Sequence, residues 1–291
     1  MSPLSTPEPQ DYDNWRDSVL RQIQSAPDHH RFFWLIDPCA HKELPKLIWK
    51  LDPQPDAWPL HMNTYMEEAV NSGPFMVPCR RGSGFTEWVF QKLRLLPLGC
   101  LVTVPSSSPH TAFEHLQNTL ECTDAKGERS IFRFYDPRIL YGISTYTDKT
   151  MIPRILGPVL CLNAWEPGRC VPVQMGSGTD SGIRSAGLES YETAFFEHIW
   201  DEVQVHTIIG TLGHDPGIQI RNQALPDAYA LIEKTALIIG RFGYVERKDL
   251  VSASIPSIWY GLSFWEQPHV LEALGERPGN APLSEILEYV L

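Results

Sequence analysis

The residues with the strongest chemical character lie in one short run, Phe132-Arg-Phe-Tyr-Asp-Pro-Arg138. Arg133, Tyr135 and Asp136 bring a guanidinium, a phenol and a carboxylate within four positions. A hydrolase or transferase could use such a trio as a polar platform, provided that it lines an open pocket beside a nucleophile or a metal. The spacing also fits a simpler reading. Asp136 stands where a helix N-cap belongs and Pro137 suits the first helical position. Arg133, Asp136 and Arg138 are close enough to form a charge-assisted cluster. The alternation Ile131-Phe-Arg-Phe-Tyr135 predicts a strand, with Phe132 and Phe134 on one face and Arg133 and Tyr135 on the other. The favoured reading is thus a strand-to-helix junction clamped by an ion pair.

Other candidate chemistry does not assemble. The sequence has no G-x-S-x-G and no G-x-x-x-x-G-K-[ST], and Gly176-Ser-Gly178 lacks the lysine that a phosphate loop needs. His198 and His206 lie eight residues apart, more than two helical turns, whereas a zinc pair needs three or four. Glu67-Glu68 and Asp201-Glu202 are sequence neighbours, which a helix splays by about 100°. Arg80-Arg81-Gly-Ser-Gly84 precedes a helix and could hold an anion, although an ordinary capped start accounts for it. No catalytic, cofactor-binding or metal-binding residue is therefore expected, and no cofactor.

The elements that position the Phe132–Arg138 run follow from apolar patterning. Strands are predicted at Arg31–Asp37, Pro74–Pro78, Cys100–Val104, Ile131–Tyr135 and Pro158–Asn163. Helices are predicted over 11–25, 43–51, 62–70, 84–96 and 109–121, the last capped by Ser107 or Ser108, with Asp148 capping a further turn through Leu156. Strands alternating with helices give an α/β lobe, a central sheet flanked by helices. Residues 166–187 are rich in Gly, Ser and Pro and read as a linker. Beyond them the pattern is helical: a stripe Leu188, Tyr191, Phe195, Ile199 and Val203, a helix from Pro226, one over 247–265 interrupted by Pro256, and short helices opened by Pro268 and Pro282. The organisation expected is a tail and helix over 1–29, an α/β domain over 30–165, a linker over 166–187 and an all-α lobe over 188–291.

Composition narrows the partners. The chain of 291 residues is 43% hydrophobic and 20% charged, which suits a packed core. Its formal charge of -11 is uneven, residues 186–291 holding 6 Lys and Arg against 15 Asp and Glu. Such acidity argues against nucleic acid and could steer a basic protein partner. The six cysteines include no C-x-x-C pair and several sit in apolar runs, as reduced buried thiols do. The first residues lack a basic start and an apolar core, and no apolar run approaches 18 residues. A cytoplasmic protein without membrane insertion is expected.

The run ending in Arg133-Phe-Tyr-Asp-Pro-Arg138 resembles the signature of the effector adaptor and chaperone family of the type VI secretion system. There a similar strand end follows a helix with a His-Leu pair, and His115-Leu116 stands in that place. Phe32-Phe-Trp-Leu-Ile-Asp37 is similar to the family's opening strand, Gly73-Pro-Phe-Met-Val77 to its second signature strand, and Leu156-Gly-Pro158 to its Phe-Gly-Pro turn, with Leu156 departing from Phe. The resemblance covers roughly residues 30–165.

It implies that Arg133, Phe134, Tyr135, Asp136, Pro137 and Arg138 form a structural or partner-binding motif. It further implies an adaptor rather than an enzyme: a protein that binds a toxin effector in the cytoplasm and loads it onto a VgrG or PAAR spike. The alternatives are a hydrolase or transferase using Arg133, Tyr135 and Asp136, and an immunity-type protein that neutralises a toxin.

Overall fold

Long apolar runs make strands buried on both faces, and helices with one apolar stripe supply the cover. The computed structural model of the chain describes residues 12–52, 55–64, 66–94, 96–123, 129–146, 148–166, 169–174, 189–190, 194–199, 203, 225–244, 246–276 and 282–290. The chain divides into two compact units, Met1–Trp200 and Asp201–Leu291.

The first unit is built on a six-stranded sheet flanked by helices, in agreement with the α/β expectation. Its strands are β1 (His30–Ile36), β2 (Trp58–Pro59), β3 (Phe75–Pro78), β4 (Gly99–Pro105), β7 (Cys161–Glu166) and β8 (Arg169–Gln174). Their order is β2-β3-β1-β4-β7-β8 and every neighbouring pair is antiparallel. Both edge strands contain a proline, Pro59 and Pro172. A smaller sheet joins β5 (Glu121–Thr123) to β6 (Arg129–Ile131) and β9 (Glu189–Ser190).

β1 lies inside the large sheet and shows why its sequence is almost wholly apolar. Phe32, Trp34 and Ile36 join a cluster with Trp15 and Val19 of α1 (Tyr12–Ser25), Leu44 and Ile48 of α2 (Leu44–Leu51), and Phe85, Val89 and Phe90 of α3 (Gly84–Leu93). On the opposite face Phe33 meets Trp58, which meets Phe113 of α4 (Pro109–Thr119). Trp34 is fully buried, a burial worth roughly 2–3 kcal/mol. The start of β4 presses close to β1. Gly99 has φ +150, and a Cβ there would stand 2.0 Å from the Leu35 carbonyl oxygen, so a side chain would force the strands apart.

Several expectations need correction. The strand predicted at Ile131–Tyr135 is Arg129–Ile131, and the chain then leaves the ladder: Phe134 N–H donates to Phe132 C=O and Asp136 N–H to Arg133 C=O, both at 2.9 Å. These tight turns defeat the two-residue period, and Phe132, Phe134, Tyr135 and Asp136 are all buried. The helix predicted over 62–70 is a single 3-10 turn at Glu67–Ala69. Ser108 occupies the N-cap of α4 without a side-chain hydrogen bond. The strand predicted at Pro158–Asn163 begins at Cys161 and runs to Glu166.

The linker boundary also moves. β8 lies within residues 166–187, and its alternating Val171 and Val173 are buried against the sheet. Glycine and proline content marked a loop there, but burial of the valines wins. Of the rest of that segment, residues 175–187 lie outside the described residues. The stripe assigned to the helical lobe starts too early as well. Helical residues 194–199, here α7, belong to the first unit, where Phe195 packs on Phe132 and Ile199 on Gly142 of α5 (Pro137–Thr145). Leu188 and Tyr191 lie outside the described residues.

The second unit is helical, with α8 (Leu225–Gly240), α9 (Arg247–Tyr260), α10 (Pro268–Glu276) and α11 (Leu283–Val290). Ile239, Ala253, Trp265, Val270, Leu274, Leu283 and Ile286 form its core. Pro256 does not break α9, which runs on to Tyr260 and stops at Gly261 with φ +73, followed by a 3-10 turn at Leu262–Glu266. A buried polar node ties these elements: Trp265 Nε1 donates to Ser257 Oγ at 2.7 Å, and Thr235 Oγ1 lies 2.7 Å from the same oxygen.

Candidate functional site

β1 ends with a carboxylate. The Asp37 N–H donates to the Leu98 carbonyl, and its side chain points to the turn that carries Arg133. Arg133 Nη2 donates to Asp37 Oδ2 at 2.5 Å, and the same nitrogen is 3.6 Å from Asp136 Oδ2. Asp136 in turn accepts a two-pronged contact from Arg138, Nε to Oδ1 at 2.9 Å and Nη2 to Oδ2 at 2.6 Å. Asp136 Oδ1 also accepts the Arg138 backbone N–H at 3.1 Å, which caps α5, with Pro137 as its first residue. A continuous chain of charge, Asp37–Arg133–Asp136–Arg138, results.

Burial within this chain is unequal. The Asp37 and Asp136 side chains are 2% and 3% exposed, whereas those of Arg133 and Arg138 are 38% and 27% exposed. The carboxylates are therefore sunk in the protein and the guanidiniums form the lid toward solvent. A buried carboxylate is costly without a cation and hydrogen bonds, so the arginines are a condition of this packing. Arg133 Nε is buried without a hydrogen-bond partner among the described residues.

The acid–base character of the site follows. Burial alone lowers the affinity of the Arg133 guanidinium for its proton, but Asp37, Tyr135 and Asp136 outweigh it and hold the charge more firmly than usual. Arg138 shifts the same way, chiefly through its hydrogen bond to Asp136. Burial pushes the Tyr135 phenol well above its ordinary range, with Asp37 adding to it. Cys39, whose N–H donates to Asp37 Oδ1 at 2.8 Å, has its thiol raised by burial and then by the Asp37 carboxylate. The phenol and the thiol nearest the cluster are thus held protonated, the form least suited to nucleophilic attack.

The other stretches of the motif are arranged around the same sheet. Gly73-Pro-Phe-Met-Val77 leads into β3, which pairs with β1. His115 of α4 is buried, its Nε2 3.1 Å from the Ile155 carbonyl and 3.3 Å from Thr119 Oγ1. Gly157, which follows α6 (Met151–Leu156), has φ +53 and lies so flat on the His115 ring that a Cβ would come within 2.4 Å of it. The His-Leu pair and the Leu-Gly-Pro turn are therefore the two halves of one contact. Gly73 makes the same kind of contact with His61, whose Nδ1 is 3.2 Å from the Ala69 carbonyl.

Of the residues singled out, Arg133, Asp136 and Arg138 come together, Tyr135 is buried beside Arg133, and Phe134 is in the core. The partner not foreseen for Arg133 is Asp37, for which a lone acid closing an apolar strand was the available signal. His61 was also missed. The Arg80–Gly84 stretch is a capped helix start, Ser83 Oγ accepting from Thr86 N–H while Arg80 pairs with Asp52 at 3.2 Å. His198 lies 2.9 Å from Thr145 Oγ1. Among the described residues no three or more His, Cys, Asp or Glu are placed to hold a metal, and no helix is long and apolar enough to cross a membrane. Among the described residues none of the six cysteines forms a disulfide.

An α/β unit whose charged cluster closes the end of its central strand is the class that fold and site define. The family model described as Domain of unknown function (DUF4123) matches residues 32–150 of this chain. That span begins inside β1 and ends just before α6, so it contains Asp37, Gly73, His115 and the entire Arg133–Arg138 run but not Gly157. No curated protein and no solved structure matches the chain.

Proposed function

We propose that this chain is a cytoplasmic adaptor that binds a toxin effector of the type VI secretion system and loads it onto a VgrG or PAAR spike. The observation that carries the reading is the convergence of five separate sequence stretches on one frame. Asp37 pairs with Arg133, the strand at 75–78 pairs with β1, and His115 seats Gly157. These are the stretches on which the resemblance to the effector adaptor family rests, and all three contacts lie wholly or partly in the span matched by the family model. The charged groups within the frame are spent on one another, and its phenol and nearest thiol are held neutral, which suits a scaffold better than a reaction centre. The acidic C-terminal third supplies a surface chemistry distinct from that of the frame.

The test is a two-protein mixture of this chain with the toxin encoded beside it, and separately with the spike protein. Co-elution with both, without nucleotide, is the expected result. Failure to bind either purified protein would defeat the reading, as would turnover of a small molecule by the chain alone. Protection of a target cell that lacks the secretion system would instead favour an immunity protein.

A further inference from the structure

Between the β2 edge of the large sheet and α4 lies a groove of about 630 Å³. Its walls include Trp58, Met62, His110, Phe113, Glu114 and Gln117. The groove is held in shape before any partner arrives. Gln117 Nε2 donates to the Leu60 carbonyl at 3.0 Å and to the Met62 carbonyl at 2.7 Å, fastening the segment after β2 to α4. Trp58 and Phe113 meet edge to face at 5.4 Å.

The chemistry of the walls is specific. The Trp58 indole N–H is already spent on Asp56 Oδ1 at 2.8 Å, so the side chain offers the groove its ring rather than a donor. Glu114 sits on the α4 rim with its side chain 61% exposed, 3.5 Å from His110. Aromatic faces attract cations through their quadrupole, and a carboxylate beside them adds a charge-assisted hydrogen bond. Neither Lys nor Arg lines the groove. We propose that this groove receives the Lys or Arg side chain of an extended segment of a partner protein. The volume exceeds that of one side chain and accommodates a few residues around it. The inference does not rest on the adaptor reading, because the groove selects for cation chemistry whichever partner supplies it.

The experiment uses the full chain and a fluorescein-labelled peptide, Gly-Leu-Arg-Leu-Arg-Gly, with glutamate-for-arginine and leucine-only peptides as controls, followed by anisotropy at low salt. Saturable binding of the arginine peptide alone is expected. Glu114→Lys should weaken it by about tenfold, whereas Glu272→Lys, an equal charge change on exposed α10 in the other unit, should change it less than about twofold. The Trp58 indole N–H resonance, assigned with Trp58→Phe, should shift on addition of the arginine peptide. Equal loss in both charge variants would mean chain-wide attraction only and would overturn the proposal. Binding of the leucine-only peptide with similar affinity, a stationary Trp58 resonance or the absence of saturable binding would do the same.

Discussion

Replacing Arg133 by Ala tests the frame most directly. It removes the cation from Asp37, which is 2% exposed, and leaves that carboxylate accepting from the Cys39 N–H. Breaking a fully buried pair costs about 3–5 kcal/mol. Here the guanidinium is 38% exposed, so water already screens part of the attraction. Asp136 retains its two-pronged contact with Arg138 and loses little. The expected destabilisation is therefore about 2–3 kcal/mol, between the exposed and the buried limits. Urea unfolding followed by tryptophan fluorescence should show a lower midpoint at unchanged slope. A double-mutant cycle with Asp37→Asn isolates the pair, and a coupling of about 1–2 kcal/mol is expected. Arg133→Lys should recover only part of the loss, because the lysine side chain ends one bond short of the Nη2 position that reaches both carboxylates. A coupling below about 0.5 kcal/mol, with Arg133→Ala as stable as the parent, would refute the claim that this pair holds the frame together.

Other outcomes follow from the same structure. Gly157→Ala should cost about 2–4 kcal/mol, the sum of a left-handed backbone and a collision with the His115 ring, read as a fall in thermal midpoint. Ser257→Ala should cost about 1–3 kcal/mol by orphaning the buried Trp265 N–H, read in the same way. Burial pushes the Cys79 and Cys161 thiols up to about 12 and Cys170 up to about 11. Unfolded thiols titrate near ~8.5, so above that pH the unfolded chain releases protons that the folded chain keeps. Stability should consequently decline as pH rises beyond about 8.5, seen as a falling urea midpoint between pH 8 and 10, and Cys→Ser replacement at these sites should flatten the decline. Cys39 should alkylate more slowly than a free thiol at mildly alkaline pH, and Asp37→Asn should speed the reaction by removing a carboxylate that opposes the thiolate.

What could be read in the sequence was local. The run Phe32–Ile36 declared a strand covered on both sides, and Asp136-Pro137 declared a helix start, because each signal is complete within a few residues. The period-two reading of Ile131–Tyr135 failed because alternation of aromatic and charged residues carries no information about whether a ladder partner exists. The β5–β6 ladder regularises the chain as far as Ile131, and two short-range backbone bonds then turn it inward. Residues 169–174 erred the other way, for glycine-rich surroundings hid two valines that the edge of the sheet buries. Partners remote in sequence were the least visible. Asp37 and Arg133 stand 96 positions apart, and only the fold joins them. The groove was invisible for the same reason, since Trp58 and Phe113 look like ordinary core aromatics until α4 is laid beside β2.

The prolines at both margins of the large sheet have a consequence for how this molecule meets others. Each lacks an amide hydrogen, so neither outermost strand offers an unbroken row of donors to a visiting backbone. Pro59 interrupts a margin that is only two residues long, and Pro172 falls in the middle of the other. Copies of the protein are thereby discouraged from pairing edge to edge. A chain that meets either margin therefore cannot extend a continuous hydrogen-bonded ribbon along it.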